Sequence, residues 1–313
     1  MRASTAARVT PVASTAARVT VAVAVNPFRP FNHLTPIQPS TVLTPQNRAQ
    51  LKSIIKGMDR VLVAYSGGID STLVLKLAFD YLGDNAAAAI AVSPSLAKHD
   101  LADARRVAEE IGCELIELSS TETEDPRYQV NNPDRCYFCK TNVYDTLIAY
   151  AGQEGYRWIL DGTNADDLGD HRPGLRAARE HGVRSPLQEC KVGKEAIRAY
   201  AKELGLTNWD KPANACLSSR IPYGSEVTTQ KLSQVEKAEL ILKTLGFTGH
   251  RVRHHDTIAR LELHPGQFEK AIAQHSELVE ALKPIGFLYI TLDLGGYQSG
   301  SLNQTLSSKA TSR

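Results

Sequence analysis

Apolar and polar positions along this chain fall into short blocks that change period. An amphipathic stretch at 46–58 predicts a helix, and the wholly apolar-to-aromatic run Val61-Leu62-Val63-Ala64-Tyr65 predicts a buried strand over 61–65. A helical stretch at 71–82 and a strand at 88–92 follow. Over 101–111, Leu101, Ala104, Val107, Ala108 and Ile111 share one helix face. Short strands at 114–118 and 158–160, with helices at 141–151 and 194–204, complete the alternation. Apolar strands separated by helices predict an α/β fold with a doubly wound parallel sheet, whose ligands bind at the carboxyl ends of its strands.

After Pro222-Tyr223-Gly224 the pattern shifts. A helix at 228–245, strands at 251–255 and 257–263, a helix at 266–282 and a strand at 287–294 predict a smaller C-terminal α+β domain with antiparallel alternation. Residues 1–43 carry the direct repeat Ala3-Ser4-Thr5-Ala6-Ala7-Arg8-Val9-Thr10 and Ala13-Ser14-Thr15-Ala16-Ala17-Arg18-Val19-Thr20, then a Pro-rich stretch. The expected division is a disordered leader 1–43, domains 44–222 and 223–305, and a frayed tail 306–313. The leader reads in two ways: as an organelle (for example plastid) transit peptide, or as an extension from too early a start codon on a cytoplasmic protein.

Charge supports setting the leader apart. The first acidic residue is Asp59, and seven of the 36 basic residues precede it, leaving 29 against all 34 acidic ones in the remainder. That remainder lacks the basic footprint of a nucleic-acid binder. No run approaches the ~18 apolar residues of a membrane span. Five cysteines (Cys113, Cys136, Cys139, Cys190, Cys216) are odd in number and dispersed, which argues against a secreted disulfide framework.

The candidate chemistry begins behind the first strand. Ser66-Gly67-Gly68-Ile69-Asp70-Ser71-Thr72 places two glycines between a strand and a helix, so backbone N–H groups and a helix N-terminus face an anion. Neither the Walker pattern nor G-x-G-x-x-G fits. S-G-G-x-D-S/T resembles the pyrophosphate loop of ATP pyrophosphatases, which implies binding of ATP, with Mg2+, through Ser66, Gly67, Gly68, Asp70, Ser71 and Thr72. Asp161-Gly162 ends a later strand at the same sheet edge, as a nucleotide contact or as an ordinary turn. His171 and Arg172 offer a cation nearby.

Arg135-Cys136-Tyr137-Phe138-Cys139-Lys140 holds a C-x-x-C that reads as a loop with basic flanks. A coincidental pair, half a zinc ribbon and a redox pair are the plain alternatives. With Cys216 in a second, Pro-broken loop, three thiolates without a fourth suit an iron–sulfur cluster with one open iron site. Cys113 and Cys190 read as buried bystanders.

Taken together, the segments around Ser66–Thr72, Asp161-Gly162, Asp170–Gly174, Ala215–Arg220, Pro222–Gly224, Arg251-Val252-Arg253, Ala259–Glu262 and Thr291–Tyr297 resemble the LarE-type ATP-dependent sulfur transferases over about 45–305. The resemblance implies adenylation of the carboxylates of pyridinium-3,5-biscarboxylate mononucleotide, release of pyrophosphate, and displacement of AMP by sulfur. It also implies a small-molecule nucleotide substrate, a homo-oligomer, a catalytic role for Asp70, Cys136, Cys139 and Cys216, substrate contacts from Arg220, Arg251 and Arg253, and metal or substrate contacts from Glu239 and Glu262. Single-cysteine members sacrifice a cysteine that aligns with Ala215. The three cysteines here fit the type that carries a [4Fe–4S] cluster. Gln298 stands where the family pattern has Arg. A transfer-RNA thiolase, an amide-forming synthetase of the NAD synthetase kind, and a non-catalytic nucleotide binder are the competing readings.

Overall fold

The strand Val61–Ala64 (β1) forms because three of its four residues are fully enclosed aliphatics, which only a sheet covered on both faces can satisfy. A computed structural model of the protein describes residues 43–169, 173–212 and 215–298. The leader and tail expectations, and the cation expected at His171 and Arg172, lie outside those residues.

Helix Pro45–Lys56 (α1) opens on Thr44, whose hydroxyl accepts from the Asn47 N–H. After β1 come helix Ile69–Leu82 (α2), strand Ala86–Val92 (β2), helix Lys98–Ile111 (α3) and strand Leu115–Ser119 (β3). A short helix Pro126–Gln129 (α4), helix Arg135–Glu154 (α5), strand Trp158–Leu160 (β4), helices Pro173–Glu180 (α6) and Pro186–Glu189 (α7), and helix Lys194–Glu203 (α8) follow. The sheet order is β3-β2-β1-β4, all parallel, as the hydrophobic pattern predicts. The chain steps one way from β1 to β3 and then crosses back to place β4 on the other side of β1. The carboxyl ends of β1 and β4 therefore flank the switch point where such sheets bind ligands.

Two boundaries differ from expectation for physical reasons. β2 starts at Ala86 rather than at residue 88, because its poorly strand-forming alanines are held by pairing with β1. The C-x-x-C is not in a loop: Cys136 and Cys139 lie in the first turn and a half of α5, where the buried Arg135 donates to Asn131 Oδ1 (2.5 Å) and the Ser218 carbonyl (2.9 Å).

The C-terminal part contains helix Thr229–Thr244 (α9), strands Arg251–His255 (β5) and Ile258–Glu262 (β6), helices Phe268–Ala273 (α10) and His275–Leu282 (α11), and strand Tyr289–Leu292 (β7). β5 and β6 form a tight antiparallel hairpin, but β6 and β7 are parallel. The expected antiparallel alternation fails there because the helical connection carries the chain back to the end at which β6 begins. Phe247, Val252, Leu261, Leu282 and Phe287 belong to the core under this sheet. A separate cluster of Ala97, Tyr128, Leu217, Ile221, Val227, Leu232 and Val235 runs between the two sheets' elements. No helix among the described residues is long and apolar enough to cross a membrane.

Candidate active site

The glycine loop leaves β1 with Gly67 at φ +69°, a conformation side chains rarely adopt, and its Cα packs so tightly on α3 that a Cβ would lie 2.9 Å from that of Ala104. Ser66 and Ser71 brace the turn: Ser71 Oγ donates to the Gly68 carbonyl (3.0 Å), and the Ser66 N–H donates to Ser71 Oγ (3.2 Å). Thr72 Oγ1 donates to the same carbonyl at 2.9 Å. No side chain caps α2, which begins at Ile69, so its first-turn N–H groups have no side-chain acceptor among the described residues, an arrangement that favours an anion at this helix start.

Asp70 stands in that first turn. One carboxylate oxygen pairs with Lys194 Nζ, while Oδ1 is buried without a hydrogen-bond partner among the described residues. Burial raises the Asp70 pKa, against the pull of Lys194. A carboxylate already enclosed, with one oxygen unsatisfied, is suited to a cation arriving with the nucleotide. Lys194 is a site residue that the hydrophobic pattern does not reveal. It begins α8, and its N–H donates to Asp166 Oδ2 (2.6 Å) in the Asp161–Asp167 segment.

Asp161 is spent within the chain. It accepts from Ser185 Oγ (2.6 Å), Thr163 Oγ1 (2.8 Å), the Thr163 N–H (3.1 Å) and Tyr144 Oη (3.3 Å). These bonds fix the turn so that Gly162 lies directly on the nucleotide loop; a Cβ there would meet the Ser71 nitrogen at 2.5 Å. Tyr144 belongs to α5, so one short chain of contacts links the helix bearing Cys136 and Cys139 to the loop bearing Asp70.

Cys216 precedes a single turn, Leu217–Arg220, that is anchored from several directions. The Leu217 N–H donates to the Ser95 carbonyl (2.9 Å), Ser218 Oγ meets Tyr128 Oη, and Arg253 Nη1 donates to the Ser219 carbonyl (2.8 Å). Cys139, half-buried, packs with Phe138 against the cluster containing Tyr128 and Leu217, so both cysteine segments meet on one apolar floor. Cys136 and Cys216 are exposed. Burial and the nearby Cys216 charge push the Cys139 thiol well above its usual value. Cys136 rises for the same two reasons, opposed by Arg135 and Lys140. Thiols that repel one another when ionised form a donor set that a bound cation relieves. Among the described residues, no three His, Cys, Asp or Glu side chains gather closely enough for a single metal ion. Cys113 and Cys190 are buried elsewhere, pushed up to about 11 and about 12 by burial.

Two arginines hold the backbone around Cys216. Arg220 is 2% exposed and pairs with Glu239 (3.0 Å), while its Nη1 donates to the carbonyls of Ala215 and Cys216 and to Ser219 Oγ. Arg253 pairs with Glu262 (2.7 Å), which also meets Arg260 (3.1 Å). Glu239 and Glu262, read above as metal or substrate contacts, thus serve as counter-ions to the buried guanidiniums. Burial and the neighbouring Arg220 lower the Arg251 pKa, and its guanidinium lies over the Tyr297 ring at 5.2 Å. Gln298 donates to the Gly295 carbonyl at 3.3 Å.

Comparison with known proteins agrees with this geometry. The NAD synthase family model matches residues 46–144, the stretch containing the nucleotide loop. An uncharacterized protein of Synechocystis is 49% identical over 258 residues, covering 82% of this chain and 96% of that protein. An uncharacterized protein of Methanocaldococcus jannaschii is 30% identical over 240 residues, 77% of this chain and 91% of its own. The pyridinium-3,5-bisthiocarboxylic acid mononucleotide synthase of Lactiplantibacillus plantarum is 43% identical over 260 residues, 83% of this chain and 94% of that enzyme. With that identity over nearly the whole relative, and with the pyrophosphate loop intact at a sheet switch point, this chain belongs to the LarE-type family of pyridinium-3,5-bisthiocarboxylic acid mononucleotide synthases.

Proposed function

We propose that the protein is an ATP-dependent sulfurtransferase that converts the carboxylates of pyridinium-3,5-biscarboxylate mononucleotide to thiocarboxylates, a step in building a nickel-pincer nucleotide cofactor of the lactate racemase kind. A substrate carboxylate oxygen attacks the α-phosphorus of ATP, the bond from that phosphorus to the bridging oxygen breaks, and pyrophosphate leaves. A sulfur nucleophile then attacks the acyl carbon, the carbon–oxygen bond breaks, and AMP departs with the former carboxylate oxygen. The second carboxylate follows the same course.

The observation that carries this reading is the placement of Asp70 and the uncapped start of α2 beside Gly162, with α5 and its cysteines linked to them through Tyr144 and Asp161. Open N–H groups and Lys194 stabilise charge as pyrophosphate departs. Asp70, through its unpartnered Oδ1, would hold the Mg2+ that accompanies ATP. Arg251 offers a guanidinium to the acidic substrate, while Arg220 and Arg253 hold the backbone on which Cys216 stands.

Cys136, Cys139 and Cys216 are the residues we assign to a [4Fe–4S] cluster. The Cys216 charge acts on both Cys136 and Cys139, and Arg135 and Lys140 stand beside them, which supports it. When bound by three thiolates, such a cluster offers one iron at which sulfide can be held. The exposed apolar residues Leu288, Tyr289 and Leu294 around the edge strand β7 support a homo-oligomer.

The test is direct. Anaerobic protein given Mg-ATP, the biscarboxylate mononucleotide and sulfide should produce AMP, pyrophosphate and thiocarboxylate in matching amounts. ADP and phosphate, or cleavage of ATP with no sulfur product, would overturn the reading.

A further inference from the structure

The chain at Asn208, eight positions before Cys216 in sequence, is fastened to the nucleotide loop by a side chain that neither the family motifs nor the expected chemistry uses. Asn208 is 4% exposed, and its Nδ2 donates to Thr72 Oγ1 (2.9 Å) and the Gly67 carbonyl (3.4 Å). Those two acceptors lie on either side of the loop's turn. Thr72 Oγ1 in turn donates to the Gly68 carbonyl, so the amide joins an existing chain of bonds through the turn.

A second fastening lies one and three residues on. Arg198 of α8 donates from Nη1 to the Trp209 carbonyl (2.8 Å) and from Nη2 to the Lys211 carbonyl (2.8 Å). The planar guanidinium thereby fixes two peptide units at once, which a lysine cannot do. The Lys211 N–H returns to the Asn208 carbonyl (3.1 Å), and Lys211 Nζ reaches Asp100 (3.2 Å) and Asp103 (3.0 Å) on α3. The same α3 carries Ala104, against which Gly67 packs. Arg198 also lies one helical turn beyond Lys194, the partner of Asp70. Beyond Cys216, the chain is tied down again through Leu217 and Arg220.

We infer that Asn208 and Arg198 are positioning residues that set the Cys216 segment from the nucleotide loop, so that loading of ATP and alignment of the sulfur-delivering loop are mechanically coupled. The physical basis is that residues 208–211 have no regular secondary structure of their own to define their path. Besides the packing of Trp209 on the main core and the Lys211 pairs with α3, their place comes from the amide on Gly67 and Thr72 and from the guanidinium on two carbonyls. An acyl carbon and a sulfur nucleophile held on separate loops react only when both loops share a frame, and a misplacement of about 1 Å costs on the order of 100-fold. The chemical consequence rests on the proposed sulfur transfer, whereas the mechanical one does not.

Two measurements on the full chain test it. Hydrogen exchange is followed in wild type, Asn208→Ala and Arg198→Ala, with and without Mg-ATP. Mg-ATP should slow exchange at residues 208–211 and 217–221 in wild type, and that added protection should be lost in both variants. Protection undiminished in the variants, or absent in wild type, would overturn the inference. In turnover, thiocarboxylate formed per pyrophosphate released should fall about 10- to 100-fold in the Arg198→Ala variant, with partial recovery in Arg198→Lys, which restores charge and one donor. Pyrophosphate and thiocarboxylate falling in strict proportion would mean that Arg198 only supports the fold. If wild type makes no thiocarboxylate at all, the proposed function fails, and the exchange comparison still decides the coupling.

Discussion

At the nucleotide loop, Asp70 keeps one buried carboxylate oxygen without a partner among the described residues, and α2 begins with no side chain over its first turn. At the small sheet the carboxylates are matched: Glu239 meets Arg220, and Glu262 meets both Arg253 and Arg260. The first region holds its polar groups in a costly, incomplete arrangement that an incoming nucleotide and its cation complete. The second closes its charges on one another. What remains there is geometry: Arg220 and Arg253 are bonded to the backbone of 215–219, beside Cys216. One region is prepared for exchange with solvent, and the other sets where a loop stands.

The contrast predicts different failures. Glu239→Ala should cost about 3–5 kcal/mol in a urea titration, because it leaves the Arg220 guanidinium buried without its carboxylate. A loss below about 1 kcal/mol would show that the pair is not enclosed as described. Asp70→Ala should instead lower the rate of pyrophosphate release by roughly 10²–10³-fold, with the melting temperature maintained.

Asp70→Asn sharpens the distinction through pH. Burial raises the Asp70 pKa in the folded protein, so this group's contribution to stability is present at low pH and is lost as pH rises through that folded value. The neutral amide should therefore hold or raise the melting temperature at neutral pH while activity is lost. A clear fall would mean that the Lys194 pairing, rather than burial, dominates.

The cysteines give a third comparison. Alanine at Cys136, Cys139 or Cys216 should each abolish iron and sulfide binding in anaerobic protein, while Cys113→Ala and Cys190→Ala should keep about four irons per chain. Iron retained by all three single variants would remove the cluster assignment. The smallest effect belongs to His254, which burial, then Lys231, lowers to about 4. Its folded value lies below the usual one, so stability present at neutral pH should fall as pH drops from about 6.5 toward 4. His254→Gln should flatten that slope in a series of thermal melts.

How much of this was legible in the sequence depends on range. The glycine loop and Asp161-Gly162 stand out because a tight turn against a neighbouring backbone leaves only glycine able to fit, and that constraint is local. Lys194, Arg135 and Asn208 show no such mark. Lys194 meets Asp70 across 124 positions and Asn208 meets Thr72 across 136, and no periodicity encodes such a pairing. The C-x-x-C passed for a loop because its helix start is held by Arg135 reaching the Ser218 carbonyl rather than by a local cap. The expectation of metal or substrate contacts at Glu239 and Glu262 comes from the family resemblance, whereas their pairing with arginines of another loop and an adjacent strand is long-range and leaves no local mark.

The claim on which the account depends is that a substrate carboxylate is adenylated before sulfur replaces its oxygen. Substrate carrying heavy oxygen in its carboxylates, turned over with unlabelled Mg-ATP and sulfide, tests this in one mass measurement. The account predicts one heavy oxygen in the phosphate of every AMP released for each thiocarboxylate formed, and none in pyrophosphate. Unlabelled AMP, or label in pyrophosphate, would contradict it.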